Sequence, residues 1–376
     1  MLDVNGWQAL FDFRSGEPVE GIDQPYMAMP KKICREHPYP GDTNPQTVQW
    51  VTDTALDVCR EYDPRLMILS YASGSIMRVN TKMSDEEQHA LSRRVIAEAF
   101  RFAETADYEP VIISNCGLKH FDKILHIDGI DGYLTYATDK YMAGIFYPSE
   151  RDYETVKQLP GVTPETKESF IARYGIKDSY ALERTPDIIL YADEDTALTN
   201  VGERGTIYHM IPEKKKTCLC YTRLPGLPDS IFDFREYIDG LLAQGKKIAV
   251  IIAEAVDDSD MPDGSREMCK YKNGIYYGEN VSFYYALLNG REFFEEGMPY
   301  IYHNQFLKKT SKNRYPFSYI KTEYYQDPIG LDRDFRTAAV GNRSGVLHSA
   351  AMCDYSFECH CRGLAESGLL VFVNRK

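Results

Sequence analysis

The chain has 376 residues, 43% of them hydrophobic and 26% charged, with a formal net charge of −13 and a pI near 5.2. That length exceeds the size at which one core usually stops growing, and that charge opposes binding to nucleic acid or an anionic membrane, both of which attract basic surfaces. No two of the nine cysteines form a CxxC pair, no apolar run reaches ~20 residues and the first residues lack a basic-then-apolar leader, so the expectation is a soluble cytoplasmic protein without a disulfide framework.

Taken in chain order, the first readable helix opens at Asn44, an N-cap followed by a first-turn Pro45, and carries Val48, Val51, Thr52, Ala55 and Val58 at helical spacing. Pro64 stops it near Asp63. A strand follows at 67–71. Ser84 with Glu87 forms a capping box for a helix whose stripe is Leu91, Val95, Ala99 and Phe102. The next strand, 111–114, runs into Asn115 and Cys116. Thr163 and Pro164 predict a helix toward Tyr174, closed by Gly175, before a strand at 188–192. Asp229 and Ser230 precede Phe234, Ile238, Leu241 and Leu242 on a helix closed by Gly245, leading into a strand at 248–253. A helix over 362–366, a Gly368 cap and a strand at 369–373 end the chain.

These strands are nearly continuous in hydrophobicity, the pattern of strands covered on both faces, and they alternate with helices. The expected fold is therefore α/β: a mainly parallel sheet, or a mixed one, with helices on both faces. Residues 265–340, rich in Tyr pairs such as Tyr276-Tyr277 and Tyr284-Tyr285, break the alternation. They read as an insertion or cap subdomain between an α/β core over 1–264 and its return at 341–376.

In α/β proteins ligands bind outside the carboxyl ends of the strands, so residues just past each strand are the candidates for chemistry. After 248–253 stand Glu254, Asp257, Asp258, Asp260 and Asp263. Such carboxylates suit a general base or a divalent cation, with Glu254 and Asp257 nearest the strand and Asp260 and Asp263 expected at the surface. A second group, Asn342, Arg343 and Ser344 between Gly341 and Gly345, offers a hydroxyl, N–H groups and a guanidinium fork to a phosphate or carboxylate. His348 follows at helical spacing as an assisting base or donor.

Asn115 and Cys116 are strand-tip candidates for substrate binding, although Asn favours turns and Cys favours burial, which is enough to end a strand. Two further groups are weaker. Lys119, His120, Asp122, Lys123, His126 and Asp128 also read as an ordinary charged connection. Cys353, Cys359, His360 and Cys361 include consecutive positions whose side chains diverge, so they read as an inward-packing helix start. The basic clusters at 214–216 and 308–312 read as solvated loops.

Residues 50–73, WVTDTALDVCREYDPRLMILSYAS, with 95–118, VIAEAFRFAETADYEPVIISNCGL, resemble the alkaline phosphatase superfamily, in particular its nucleotide pyrophosphatase and phosphodiesterase branch. RTPDIILYADEDTAL, 184–198, is similar to a later strand of that family. The resemblance covers about a third of the chain and implies an α/β fold with phosphoester hydrolysis at the strand tips. Where the family places a metal-binding Asp and His, this chain has Asn115 and Cys116. SYASGSIMRVNTK lacks the family's other Asp and His. A stretch like the nucleophile segment, VSFYYALLNG at 281–290, comes late in the chain.

The expectation is thus a divergent, phosphoester-hydrolase-like enzyme for a small anionic ligand, with a homo-oligomer left open. The alternative is a non-catalytic binding or assembly protein on the same scaffold.

Overall fold

The run IAVIIA forms a central strand, Ile248–Ala253, and all six residues are buried. A strand with no polar alternation needs apolar cover on both faces. Here Ile248, Val250 and Ile252 enter one apolar cluster, and Ala249, Ile251 and Ala253 enter another. The computed structural model describes residues 32–33, 35–115, 117–121, 123–127, 129–136, 141–177, 179–193, 196–199, 210–278, 280–292, 301–302, 335–341, 355–359 and 369–373.

Among the described residues, eight strands make up the larger sheet. They are β1 Leu66–Tyr71, β2 Glu109–Ser114, β3 Thr217–Thr222, β4 Ile248–Ala253, β5 Arg266–Cys269, β6 Thr337–Gly341, β7 Tyr355–Cys359 and β8 Leu369–Val373. Their spatial order is β5-β3-β2-β4-β1-β6-β7-β8. The pairings from β2 through β4, β1 and β6 to β7 are parallel, whereas β3 with β2, β5 with β3 and β8 with β7 are antiparallel. The sheet is therefore mixed, with a parallel centre.

Helices α1 Thr47–Tyr62, α2 Ser73–Asn80, α3 Asp85–Ala106, α4 Phe234–Ala243 and α5 Asn280–Asn289 provide the cover. Val51, Ala55 and Val58 of α1 join Leu91, Val95 and Phe102 of α3 against Met67 and Leu69 on one face. Phe234, Ile238 and Leu242 of α4 join Phe283 and Leu287 of α5 against Leu66 and Ile68 on the other. Among the described residues no helix is long and apolar enough to cross a membrane.

Several local signals behave as expected. The Ser84–Glu87 capping box opens α3, Asp63 closes α1 in the left-handed conformation before Pro64, and Gly175 (φ 63°) caps the helix Lys167–Tyr174. Two boundaries differ. Asn44 builds the turn ahead of α1, accepting from Gln46 N–H at 2.9 Å, and the helix begins at Thr47. Thr163 and Pro164 lie in a strand, Val162–Thr166, and Thr166 caps the helix instead. That strand is at a sheet edge, where a residue without an N–H is tolerated.

Among the described residues a second, five-stranded sheet takes four strands from the excursion between β2 and β3 and one, Ile301–Tyr302, from the chain after α5. Its order is Ile301–Tyr302, Tyr133–Tyr136, Met142–Phe146, Ile188–Ala192, Val162–Thr166, with every pairing antiparallel. Ile188–Ala192, expected among the parallel strands, belongs here. Its apolar residues are covered by a local cluster around Ile145 and Leu190 and by the main core, which Ile189 joins. The described parts of the Tyr-rich stretch provide β5, α5 and β6 to the large sheet and its core. Residues 303–334 and the expected helix at 362–366 lie outside the described residues.

Candidate functional site at the carboxyl edge

Strand register places several tips in one row. Tyr71 of β1 pairs with Ala253 of β4, Ala253 with Ser114 of β2, and Ser70 with Gly341 of β6. The residues that follow, Ala72-Ser73, Glu254 and Asn115, are therefore neighbours on one rim, about 4.8 Å apart from strand to strand. β4 and β6 flank β1 and point the same way, so Ala253 and Gly341 end at one edge.

The β4 tip is built around a conformation that L-residues avoid. Ala255 has φ 57° and is buried, a geometry that costs about 1–2 kcal/mol for a residue with a Cβ. Three bonds hold it: Ala255 N–H donates to Asn115 Oδ1 (3.0 Å), Ser114 Oγ to Val256 O (2.6 Å) and Glu254 N–H to Tyr71 O (3.1 Å). Asn115 is thus a brace between β2 and β4. Strand alternation carries Glu254 to the α5 face, where it is fully buried and accepts the Tyr284 hydroxyl, which also meets Ser70 Oγ at 3.2 Å. Gly74, at the start of α2, rests on the Glu254 carbonyl, where a Cβ would come within 2.6 Å.

On the other face Asp257 meets Arg78, whose side chain is 1% exposed, with Nη2 at 2.9 Å and Nη1 at 3.4 Å. Arg78 also donates to Ser92 Oγ (3.1 Å) and to Gln88 O (3.4 Å). Asp260, expected at the surface, has a side chain only 6% exposed, held by His89 at 2.6 Å and Arg93 at 3.5 Å. Its burial follows from the short helical turn Asp258–Asp260, which faces α3. His89, Asp257 and Asp260 lie close enough to share a cation. With Arg78 and Arg93 already against these carboxylates, the excess negative charge that a hard cation needs is missing.

Lys270, just past β5, is fully buried, and its ammonium donates to the main-chain carbonyl of Asn115 at 2.6 Å. Ser73, the first residue of α2, is fully buried and its hydroxyl has no hydrogen-bond partner among the described residues. Nearby, Lys215 bridges Glu213 (2.6 Å) and Asp258 (3.1 Å). Burial lowers its pKa, but those two carboxylates outweigh burial and the net shift is upward.

Of the residues expected from sequence, Asn115, Glu254 and Asp257 are brought to this edge. Cys116, Asn342, Arg343, Ser344 and His348 lie outside the described residues. His120 and His126 are exposed on two short strands, Leu118–His120 and Lys123–His126. Cys359 lies in β7, so that segment is a strand and not a helix start, while Cys353, His360 and Cys361 are outside the described residues. Lys270, Tyr284 and Arg78 were not among the candidates because each is brought in from a distant element, whereas Ser73 follows the β1 tip and could have been found by its place there. Comparisons with protein-family models, with curated proteins and with solved structures found no match for this chain.

Proposed function

We propose that this protein acts on a small anionic ligand, bearing phosphate or carboxylate, at the carboxyl edge of the parallel strands, as a divergent phosphoester-hydrolase-like enzyme. The observation that carries this reading is the buried Lys270 ammonium, which faces a neutral carbonyl at the β2 tip. A buried cation is costly unless an anion accompanies it. A ligand anion at the rim would offset that cost, with the Ser73 hydroxyl and the first N–H groups of α2 as further donors.

Glu254, oriented by Tyr284, is the proton acceptor in this reading. Asn342, Arg343 and Ser344, which follow β6, add the anion-binding fork, His348 assists, and Asn115 and Cys116 line the β2 tip. A divalent cation remains part of the proposal as a cofactor supplied with the substrate. One observation favours binding without chemistry on the same scaffold: Asn115 Oδ1 and Asp257 are both engaged in holding the edge together.

The test pairs thermal shift with turnover. Wild type should gain stability with inorganic phosphate, by roughly 2.7 kcal/mol at a hundredfold excess over Kd. It should also cleave bis(4-nitrophenyl) phosphate with added magnesium. Glu254→Gln should keep the shift and lose turnover. A shift without turnover in wild type selects the binding reading, and absence of both rejects the site.

A further inference from the structure

Residues 271–276 form a hairpin, Tyr271–Lys272 pairing with Ile275–Tyr276 around Asn273 (φ 50°) and Gly274 (φ 86°). Positive φ at both central residues is the turn that matches strand twist, and Asn-Gly is the pair that adopts it most readily. Asn273 Nδ2 fixes the turn to the buried Glu292 at 2.7 Å. Between this hairpin and the antiparallel sheet opens a cleft of ≈ 560 Å³, within the range of small-molecule sites. None of the rim residues described above lines it.

Glu165 organises the cleft floor. Its Oε1 accepts from Ser169 (2.7 Å) and Arg173 (2.5 Å), and its Oε2 accepts from Tyr191 (2.6 Å). One carboxylate thus fixes three donors on two elements. Burial, then the bond to Glu165, pushes the Tyr191 hydroxyl well above its ordinary range, so it remains a donor at neutral pH. Only one terminal nitrogen of Arg173 bonds Glu165. The other, Nη1, lies beside the Gly274 turn, where even a methyl group would stand 3.7 Å away.

Lys214, from a basic cluster expected to be solvated, is instead half-buried in the wall. It donates to Ala192 O at 3.0 Å and lies 4.1 Å above the Tyr141 ring. Arg173 and Lys214 thus stand in one cleft beside the Glu165 carboxylate, whose two oxygens are both engaged. Tyr191, Tyr276, Ile275 and Pro164 add apolar surface to the lining.

An Arg fork takes carboxylates in two parallel bonds, and tyrosine walls take planar rings. We infer that this cleft is a second ligand site, for a small aromatic carboxylate whose anion meets Arg173 and Lys214 and whose ring lies against the tyrosines. It is independent of the chemistry proposed at the strand tips.

The probe is 2-naphthoate, titrated calorimetrically into the full chain. Its size and the efficiency of small ligands set an expected Kd of ~1 mM or tighter, at one site per chain. Neutral 2-naphthamide should bind about tenfold more weakly or worse, and inorganic phosphate should not displace the naphthoate. Thr163 is exposed and lines the cleft, so Thr163→Trp fills the space without entering the core. That variant and Arg173→Met should each weaken binding by about tenfold or more, while Glu254→Gln should leave it unchanged. Should Arg173→Met fail to fold, Thr163→Trp and the amide decide alone. No binding at ~5 mM, equal affinity for the amide, displacement by phosphate or indifference to Thr163→Trp overturns the inference.

Discussion

Replacing Lys270 by Met tests the strand-tip reading because stability and binding should move apart. Lys270 is fully buried with its ammonium on one neutral carbonyl at 2.6 Å. Methionine keeps much of the aliphatic stem and removes the charge. The loss is one hydrogen bond to a charged donor, ~1.5–3 kcal/mol, which includes leaving Asn115 O unsatisfied. The gain is relief from burying an ion, several kcal/mol after relaxation. The two nearly cancel, and the balance favours the variant by about 0–3 kcal/mol. In a chain of this length each kcal/mol moves the midpoint by roughly 1–2 °C. Lys270→Met should therefore melt at or a few degrees above wild type, and the stabilisation by inorganic phosphate should disappear. A midpoint lower by more than ~4 °C would show that the ammonium is a net structural asset. An intact phosphate shift in a stable variant would refute the reasoning outright.

Three further outcomes are expected. Asp257→Asn strands the buried Arg78 cation and should cost about 2–3 kcal/mol, discounted from the fully buried case because Asp257 is 31% exposed; adding Arg78→Met should recover part of that in a double-mutant melt. Asp152, fully buried, accepts the N–H groups of Asp131 (2.8 Å), Gly132 (3.0 Å) and Ser149 (2.8 Å). Burial raises its pKa, but those N–H groups outweigh burial and hold the carboxyl below its ordinary value. A depressed folded pKa gives stability that is present above the unfolded value, near ~4, and lost as pH falls through the folded one. Urea melts of Asp152→Asn should show a deficit of ~1–3 kcal/mol at pH 7 that shrinks below pH ~4. Burial pushes the Cys59 thiol up to about 11 and the Cys220 thiol well above its ordinary value. Iodoacetamide mapping by mass spectrometry at pH ~8 should leave both unlabelled until denaturant is added.

The parallel core was legible because it rests on a pattern that depends only on local sequence. IAVIIA and LMILSY have no polar alternation, and the structure covers them on both faces. The capping box at Ser84 and the breaker at Pro64 are equally local. Strand partnership is different. Nothing in IILYA distinguishes a parallel neighbour from an antiparallel one, and Ile188–Ala192 joined the second sheet. The Asn273-Gly274 pair was the readable signal passed over inside the Tyr-rich stretch. It marks a tight hairpin within the stretch expected to be an insertion or cap subdomain.

The site was half legible, and the division has a physical cause. Glu254, Asp257 and Asn115 could be named because each directly follows an apolar run, and the end of a strand fixes its neighbours' place on the rim. Lys270, Arg78 and Tyr284 could not, because each reaches the rim from elsewhere: the end of an edge strand, a short helix and a helix on the opposite face. Composition argues against finding them, since Lys and Arg are almost never fully buried unless paired. That rarity makes them informative once coordinates exist. Arg78 is explained by Asp257, Ser92 and Gln88. Lys270 has a peptide carbonyl and no carboxylate among the described residues, and the proposed anion site rests on that contrast with Arg78.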